Sequence, residues 1–161
     1  MAKHGLLGLF LLGTTAFGGE KSLTYVFDSL ALTEPAHQKR LVCEIFKEKV
    51  KVETTLYGTT LRKESAVMMD DASWKNLQNL IEEVVRVPLT SVEGPERHFD
   101  AKIYVTDLTS QEVAPLEETA NRYVAFRSTE ALGRLEKILY HACQMAGFSG
   151  TMKEIFGSSP N

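Results

Sequence analysis

The side chains best suited to acid–base or metal chemistry in this 161-residue sequence are histidines with carboxylates nearby. Outside the N-terminal segment the histidines are His37, His98 and His141, and no two have the three- or four-residue spacing that shares a helical face. A zinc site would therefore need three distant loops to converge. His98 near Asp100, with Asp107 as a further carboxylate, is the best candidate for acid–base catalysis. An exposed loop imidazole explains His98 more simply, so we predict no catalytic and no metal-binding residue.

The sequence lacks the common motifs for nucleotide binding and acyl transfer. Residues 147–150 (GFSG) resemble part of a nucleophile elbow, but position 151 is Thr where that motif has Gly, and the segment follows a predicted helix instead of a strand. Neither a P-loop nor a G-x-G-x-x-G pattern occurs. We therefore expect no cofactor.

The two cysteines, Cys43 and Cys143, are 100 residues apart and both fall on apolar faces of predicted helices. In an oxidising compartment they could form a disulfide, and in a reducing one they would be two separately buried thiols. The absence of a C-x-x-C pattern argues against a thioredoxin-like redox role.

The N-terminal segment has the pattern of an export signal. Lys3 precedes an apolar stretch at 5–17, and small residues follow it. Cleavage after Gly18 or after Ala16 would satisfy the small-residue rule, and 1–18 is the signal peptide we favour. Two alternatives stay open: a retained anchor, although the stretch is shorter than the roughly 20 residues that span a bilayer, and a buried helix. We expect an exported protein, periplasmic or secreted.

The charge balance restricts the class of partner. The formal net charge is −3 with a sequence pI of about 5.8, and no basic run occurs. Because nucleic-acid affinity depends mostly on Lys and Arg contacts with phosphates, nucleic acid is not expected as a partner. A membrane is expected only if residues 5–17 are retained.

Hydrophobic periodicity predicts the elements that would position these residues. Strands are predicted at 22–32, 49–57, 60–69, 99–105 and 122–127. Helices are predicted at 34–48 (capped by Thr33, with an extended strand as the competitor), from Asp70 or Asp71 up to Pro88, and at about 129–146 after a Ser128 cap. The expected fold is α+β: a mainly antiparallel sheet of about five strands, with two or three helices on one face. Residues 19–147 would form one domain, followed by a loosely ordered tail at 148–161.

The second half of the chain resembles a known type of small protein. Met68 to Cys143, with its helix starting at Asp-Ala-Ser-Trp, a loop, two strands and a final helix, resembles small bacterial proteinase-inhibitor modules of the α+β class. The resemblance contains no diagnostic motif, so it assigns no site residue.

These observations favour an exported, non-enzymatic protein-interaction module: an inhibitor, an immunity-type protein or an envelope accessory protein. Its partner would be another protein, contacted through the predicted loops at 88–98 and 107–120. The candidate contact residues are Glu93, Arg97, His98, Gln111 and Glu117. One alternative is a small-molecule or lipid carrier, with a cavity between sheet and helices lined by Phe46, Trp74, Ile103 and Phe126. Another is a membrane-complex subunit that keeps its N-terminal segment. The sequence does not set the oligomeric state.

Overall fold

A computed structural model of the protein describes residues 19–29, 39–56, 58–66, 69–97 and 99–144. These residues form one eight-stranded antiparallel sheet in the order β4-β3-β2-β1-β6-β7-β8-β5, and two helices. The fold class is α+β as expected, but with eight strands instead of about five. The strands are β1 (Lys21–Ser29), β2 (Lys39–Ile45), β3 (Val50–Leu56), β4 (Thr59–Ser65), β5 (Thr90–Glu93), β6 (Phe99–Asp107), β7 (Val113–Ala120) and β8 (Tyr123–Phe126). The helices are α1 (Asp71–Arg86) and α2 (Glu130–Cys143).

The elements follow one another as two groups of four strands and a helix. Strands β1 to β4 form a meander followed by α1, and β6 to β8 form a second meander followed by α2. The groups are not equivalent, because β5 pairs with β8 at the edge of the sheet while β1 joins β6 at its centre. The central β1–β6 pair therefore holds the two meanders together.

The predicted helix at 34–48 is wrong for its second half, where the structure has strand β2. Leu41, Cys43 and Ile45 are each fully buried, with the two-residue period of a strand. Leu41, Val42, Ile45 and Phe46 also match helical spacing, so the local pattern was ambiguous, and pairing with both β1 and β3 decided it. The predicted cap at Thr33 lies outside the described residues.

Two predicted loops contain strands. Residues 88–98 contain the four-residue strand β5, and residues 107–120 contain β7. Strand β5 is exposed at all four positions, so no hydrophobic alternation marked it. Strand β7 carries Pro115 and two adjacent glutamates, a composition that usually indicates a loop. The strands predicted at 49–57 and 60–69, by contrast, are confirmed as β3 and β4, which pair with each other as a hairpin.

The two helices predicted before Pro88 and at about 129–146 are present as α1 and α2. Asp70 is the N-cap of α1, and its carboxylate accepts a hydrogen bond from the Ser73 backbone N–H at 2.8 Å. The N-cap of α2 is Thr129 and not the expected Ser128, since the Thr129 side chain accepts from the Ala131 N–H. The C-terminal end of α1 is held by Arg127, whose guanidinium donates to the carbonyls of Val85 (2.9 Å) and Val87.

The core lies between the helices and one face of the sheet. Trp74, Leu77, Ile81 and Val84 of α1 are buried there, and α2 adds Leu132, Leu135 and Leu139. Cys43 of β2 and Cys143 of α2 form a disulfide, with 6.1 Å between their Cα atoms. The bridge ties the last residue of α2 to the sheet.

Several predictions concern residues that the structure does not describe: the signal peptide at 1–18, His98 and the tail at 148–161. Within the described residues, neither helix is long and apolar enough to cross a bilayer.

Candidate functional site

A cleft of about 1040 Å³ lies between α2 and strands β1, β6 and β7. It is open to solvent on one side and its walls are mostly apolar. The floor is formed by Tyr25 of β1 with Phe99, Ala101 and Ile103 of β6, and Leu139 of α2 forms part of the wall. This volume is at the upper end of the range usual for small-molecule sites.

A β-bulge directs a carboxyl group into this apolar cleft. In the β6–β7 ladder Tyr104 pairs with Pro115 and Ile103 pairs with Glu117, so Leu116 is the extra residue. Leu116 is completely buried. With strict alternation Glu117 would point to the outer face of the sheet, but the bulge places it opposite the inward-facing Ile103.

Glu117 is protonated more readily than an ordinary glutamate. Burial in the cleft raises its pKa to about 7, and a hydrogen bond and charge repulsion from Glu136 of α2 add to the effect, while Arg97 acts in the opposite direction. The pKa of Tyr25 is raised by burial and by the Glu117 charge. Near neutral pH about half of the Glu117 carboxyl groups are therefore neutral, and the neutral form can donate a hydrogen bond.

Charges of both signs line the cleft, since Glu130 and Glu136 of α2 belong to its lining as well as the cations. Arg134 and Lys137 of α2 also line the cleft, are exposed, and form no ion pair with any described residue. Arg97 stands over the Phe99 ring, with its guanidinium carbon 5.9 Å from the ring centroid. An apolar floor beside exposed cations that have no ion-pair partner in the described chain suits a molecule that has an apolar body and an anionic end.

The structure separates most of the residues singled out in the sequence. Glu93 ends the exposed edge strand β5, and Gln111 lies in the β6–β7 turn with a φ of 60°. Only Arg97 and Glu117 meet, in the cleft, and Glu117 does so from a strand and not from a loop. His98 lies outside the described residues.

The two carboxylates of the acid–base candidate, Asp100 and Asp107, do not lie together. Asp100 and Asp107 lie at opposite ends of β6, seven residue steps or about 23 Å apart along the strand. Asp107 accepts backbone hydrogen bonds in the β6–β7 turn. Among the described residues, no group of three or more His, Cys, Asp or Glu could hold a metal ion.

The cleft does not have the lining that the carrier alternative named. Of the four residues predicted for it, only Ile103 lines the cleft. Trp74 is buried in the core, Phe126 packs against the core, and Phe46 lies under the Lys51 ammonium at 5.0 Å. Helical spacing in 129–146 predicted helix α2, which forms one side of the cleft. The position of Glu117 in the cleft depends on the β-bulge, which the sequence pattern did not reveal.

No family model matches this chain, and a search of curated proteins finds no significant match.

Proposed function

We propose that this protein is a non-enzymatic binding protein for a small amphiphile, an apolar chain with an anionic head group such as a fatty acid. The observation that carries the proposal is the apolar cleft of about 1040 Å³ between α2 and the sheet. Residues Phe99, Ala101, Ile103 and Leu139 would contact the apolar chain. Each apolar group that leaves water there contributes roughly 25 cal/mol per Å² of buried surface.

The charges around the cleft support an anionic head group. Arg134 and Lys137 line the cleft, are exposed and form no ion pair within the described residues, although Glu130 and Glu136 line the cleft too. A carboxylate bound there would gain charge-assisted hydrogen bonds while its chain lies along the floor. The large neutral fraction of Glu117 near pH 7 lowers the cost of burying it under the chain.

Filling the cleft tests the proposal with little risk to the fold. Gly133 of α2 lines the cleft, and a Cβ built on it meets no atom within 4 Å. We predict that Gly133→Trp weakens binding of a fluorescent polyene fatty acid at least about tenfold, which is 1.4 kcal/mol. Helix stability should not fall, because glycine is among the poorest helix formers. Fluorescence titration and a thermal melt give the two readouts.

The matched control adds the same bulk outside the cleft. Ala72 is an exposed residue of the first turn of α1, so Ala72→Trp should bind the fatty acid like the wild type. Competition with a fatty alcohol and an alkylamine of equal chain length tests the head group, and the fatty acid should compete best. Equal binding by wild type and Gly133→Trp would refute the cleft as the site.

We also propose that the protein is exported. The signal-like segment at 1–18 and the disulfide between Cys43 and Cys143 support this, because structural disulfides persist in oxidising compartments. Intact-mass measurement of the protein from its native compartment tests the proposal, and a retained segment 1–18 would contradict it.

A second candidate is an interaction module that binds an extended segment of another protein along β5. Within the described chain β5 pairs only with β8, and all four of its residues are exposed. Val92 (45% exposed) and Tyr123 of β8 (44% exposed) give this edge an apolar character that natural edge strands usually avoid. Val92→Lys should abolish cross-linking to such a partner in the native compartment, and an unchanged cross-link would exclude β5 as its site.

A further inference from the structure

We propose that hydrolysis of the Gly18–Gly19 peptide bond creates an α-ammonium group on Gly19 that pairs with the Asp107 carboxylate and locks the new N-terminus into the fold. A signal peptidase would add one water molecule across the bond. Gly18 would leave with the new carboxylate, and the freed amine of Gly19 would take up a proton. This pairing of the Gly19 ammonium with Asp107 rests on the export proposal and not on ligand binding in the cleft.

The Asp107 carboxylate is held in a position where it could bind a positive group at Gly19. It is 2% exposed, at the end of β6. One carboxylate oxygen, Oδ1, accepts the backbone N–H groups of Thr109 (2.8 Å) and Ser110 (2.9 Å). The other, Oδ2, accepts the N–H of Gly19 at 3.1 Å. The N–H groups of Ser110, Thr109 and Gly19, together with the Lys21 charge, lower the pKa of Asp107, so it is ionised at neutral pH.

Position 19 leaves no room for a side chain in the present arrangement. A Cβ there would lie 2.7 Å from Asp107 Oδ1 and 2.7 Å from Thr109 Oγ1, closer than such atoms approach in proteins. A larger residue would therefore displace the Asp107 and Thr109 side chains or the Gly19 backbone. The small residue that follows the predicted cleavage point fits this contact with Asp107.

Hydrogen bonds to the next two residues and to the Gly19 carbonyl fix the backbone around the Gly19 nitrogen. Leu108 donates its N–H to the Glu20 carbonyl at 2.8 Å, and the Gln78 amide of α1 forms two hydrogen bonds of 2.9 Å with the backbone of Lys21. The buried Lys21 ammonium donates to the Gly19 carbonyl at 3.1 Å and lies 3.5 Å from Glu82. Cleavage would thus place a full positive charge where a neutral N–H now lies, without moving the chain.

Cleavage after Ala16 would give a different outcome. The ammonium would then be on Phe17, two residues before the nitrogen that contacts Asp107. Asp107 would keep a neutral N–H partner. The two cleavage points considered for this sequence are therefore distinguishable by the charge at Asp107.

The test compares a chain that begins at Gly19 with the same chain extended by one alanine before Gly19. All described contacts lie within 19–144, so both chains keep them. We expect the Gly19 chain to melt about 3–6 °C higher at pH 7, because the extension keeps the N–H but removes its charge. In Asp107→Asn the difference between the two chains should vanish.

A pH series keeps the proposal testable if Asp107→Asn does not fold. The charged groups around the Gly19 nitrogen are Asp107, Lys21 and Glu82. Asp107 should raise the ammonium pKa above its ordinary value of about 7.7–8.0. The extra stability is then present below that value and lost as pH rises through the raised pKa. Equal melting temperatures of the two chains at every pH, or a native N-terminus at Phe17, would overturn the proposal.

Discussion

At the scale of single residues, Glu117 shows how one insertion changes the chemistry of a surface. Its neighbour Glu118 lies on the outer face and pairs with Lys102 at 2.7 Å, whereas Glu117 shares the cleft with Glu136. Sequence patterning alone assigned both to a loop, because two adjacent carboxylates carry no periodic signal. A bulge depends on the partner strand, so no local pattern could have predicted which of the two faces inward.

Glu117 should make stability depend on pH. Its pKa rises from 4.5 to about 7 on folding, so the folded state binds more protons than the unfolded state in that range. The contribution of Glu117 to the free energy of unfolding should therefore be largest below about pH 4.5 and be lost as pH rises through 7. Denaturant unfolding of Glu117→Gln across this range should show a flatter profile than the wild type.

The neighbouring residue provides the control for that measurement. Glu118→Gln removes a carboxylate from the outer face and leaves the Glu117–Glu136 contact intact. It should keep the wild-type slope. A Glu117→Gln profile as steep as that of Glu118→Gln would show that the cleft carboxyl does not titrate as described.

At the scale of elements, the sequence predicted the two helices and β3, each of which buries one face strongly. They follow from periodicity and from capping at Asp70. Strand β4 is exposed at six of its seven positions and was predicted as the antiparallel partner of β3. Strand β2 was wrongly predicted as a helix because its apolar residues fit both the helical and the strand period. Pairing with β1 and β3 on either side makes it a strand. Strand β5 buries nothing, so its only signal is the ladder with β8.

The packing of α2 on the sheet can be tested at Leu135, which is completely buried. Leu135→Ala should lower the free energy of unfolding by about 2–5 kcal/mol, since it removes buried methyl groups and leaves a cavity. Leu61→Ala in β4 removes the same atoms from a side chain that is 60% exposed, and its effect should stay within about 0.5 kcal/mol. Chemical denaturation of both variants measures the difference.

The disulfide provides a second anchor for α2, at its last residue. Cys43→Ala/Cys143→Ala should lower the free energy of unfolding by about 2–5 kcal/mol, because the bridge restricts the unfolded chain over a separation of 100 residues. Reduced wild-type protein should unfold at nearly the same denaturant concentration as the double variant. A double variant as stable as the oxidised protein would contradict a stabilising bridge.

At the scale of the whole molecule, eight strands give a sheet that two helices cover on one face. The α2 side retains an open cleft, whose floor is apolar and whose lining includes the exposed cations Arg134 and Lys137. The sequence allowed a cavity between sheet and helices as one alternative, but it did not give the position of this cleft, since that depends on which strands lie at the centre. The strand order, with β1 beside β6, brings Tyr25 and Ile103 into register and sets that position.

Backbone amide NMR of the isotopically labelled protein, titrated with an unlabelled fatty acid, tests the cleft as a binding site most directly. We expect saturable shifts at residues that surround the cleft, among them Ala101, Thr119 and Gly133. The β3–β4 hairpin, on the far side of the sheet order, should be unaffected. Unchanged cleft signals, or shifts confined to β5 and β8, would contradict the account.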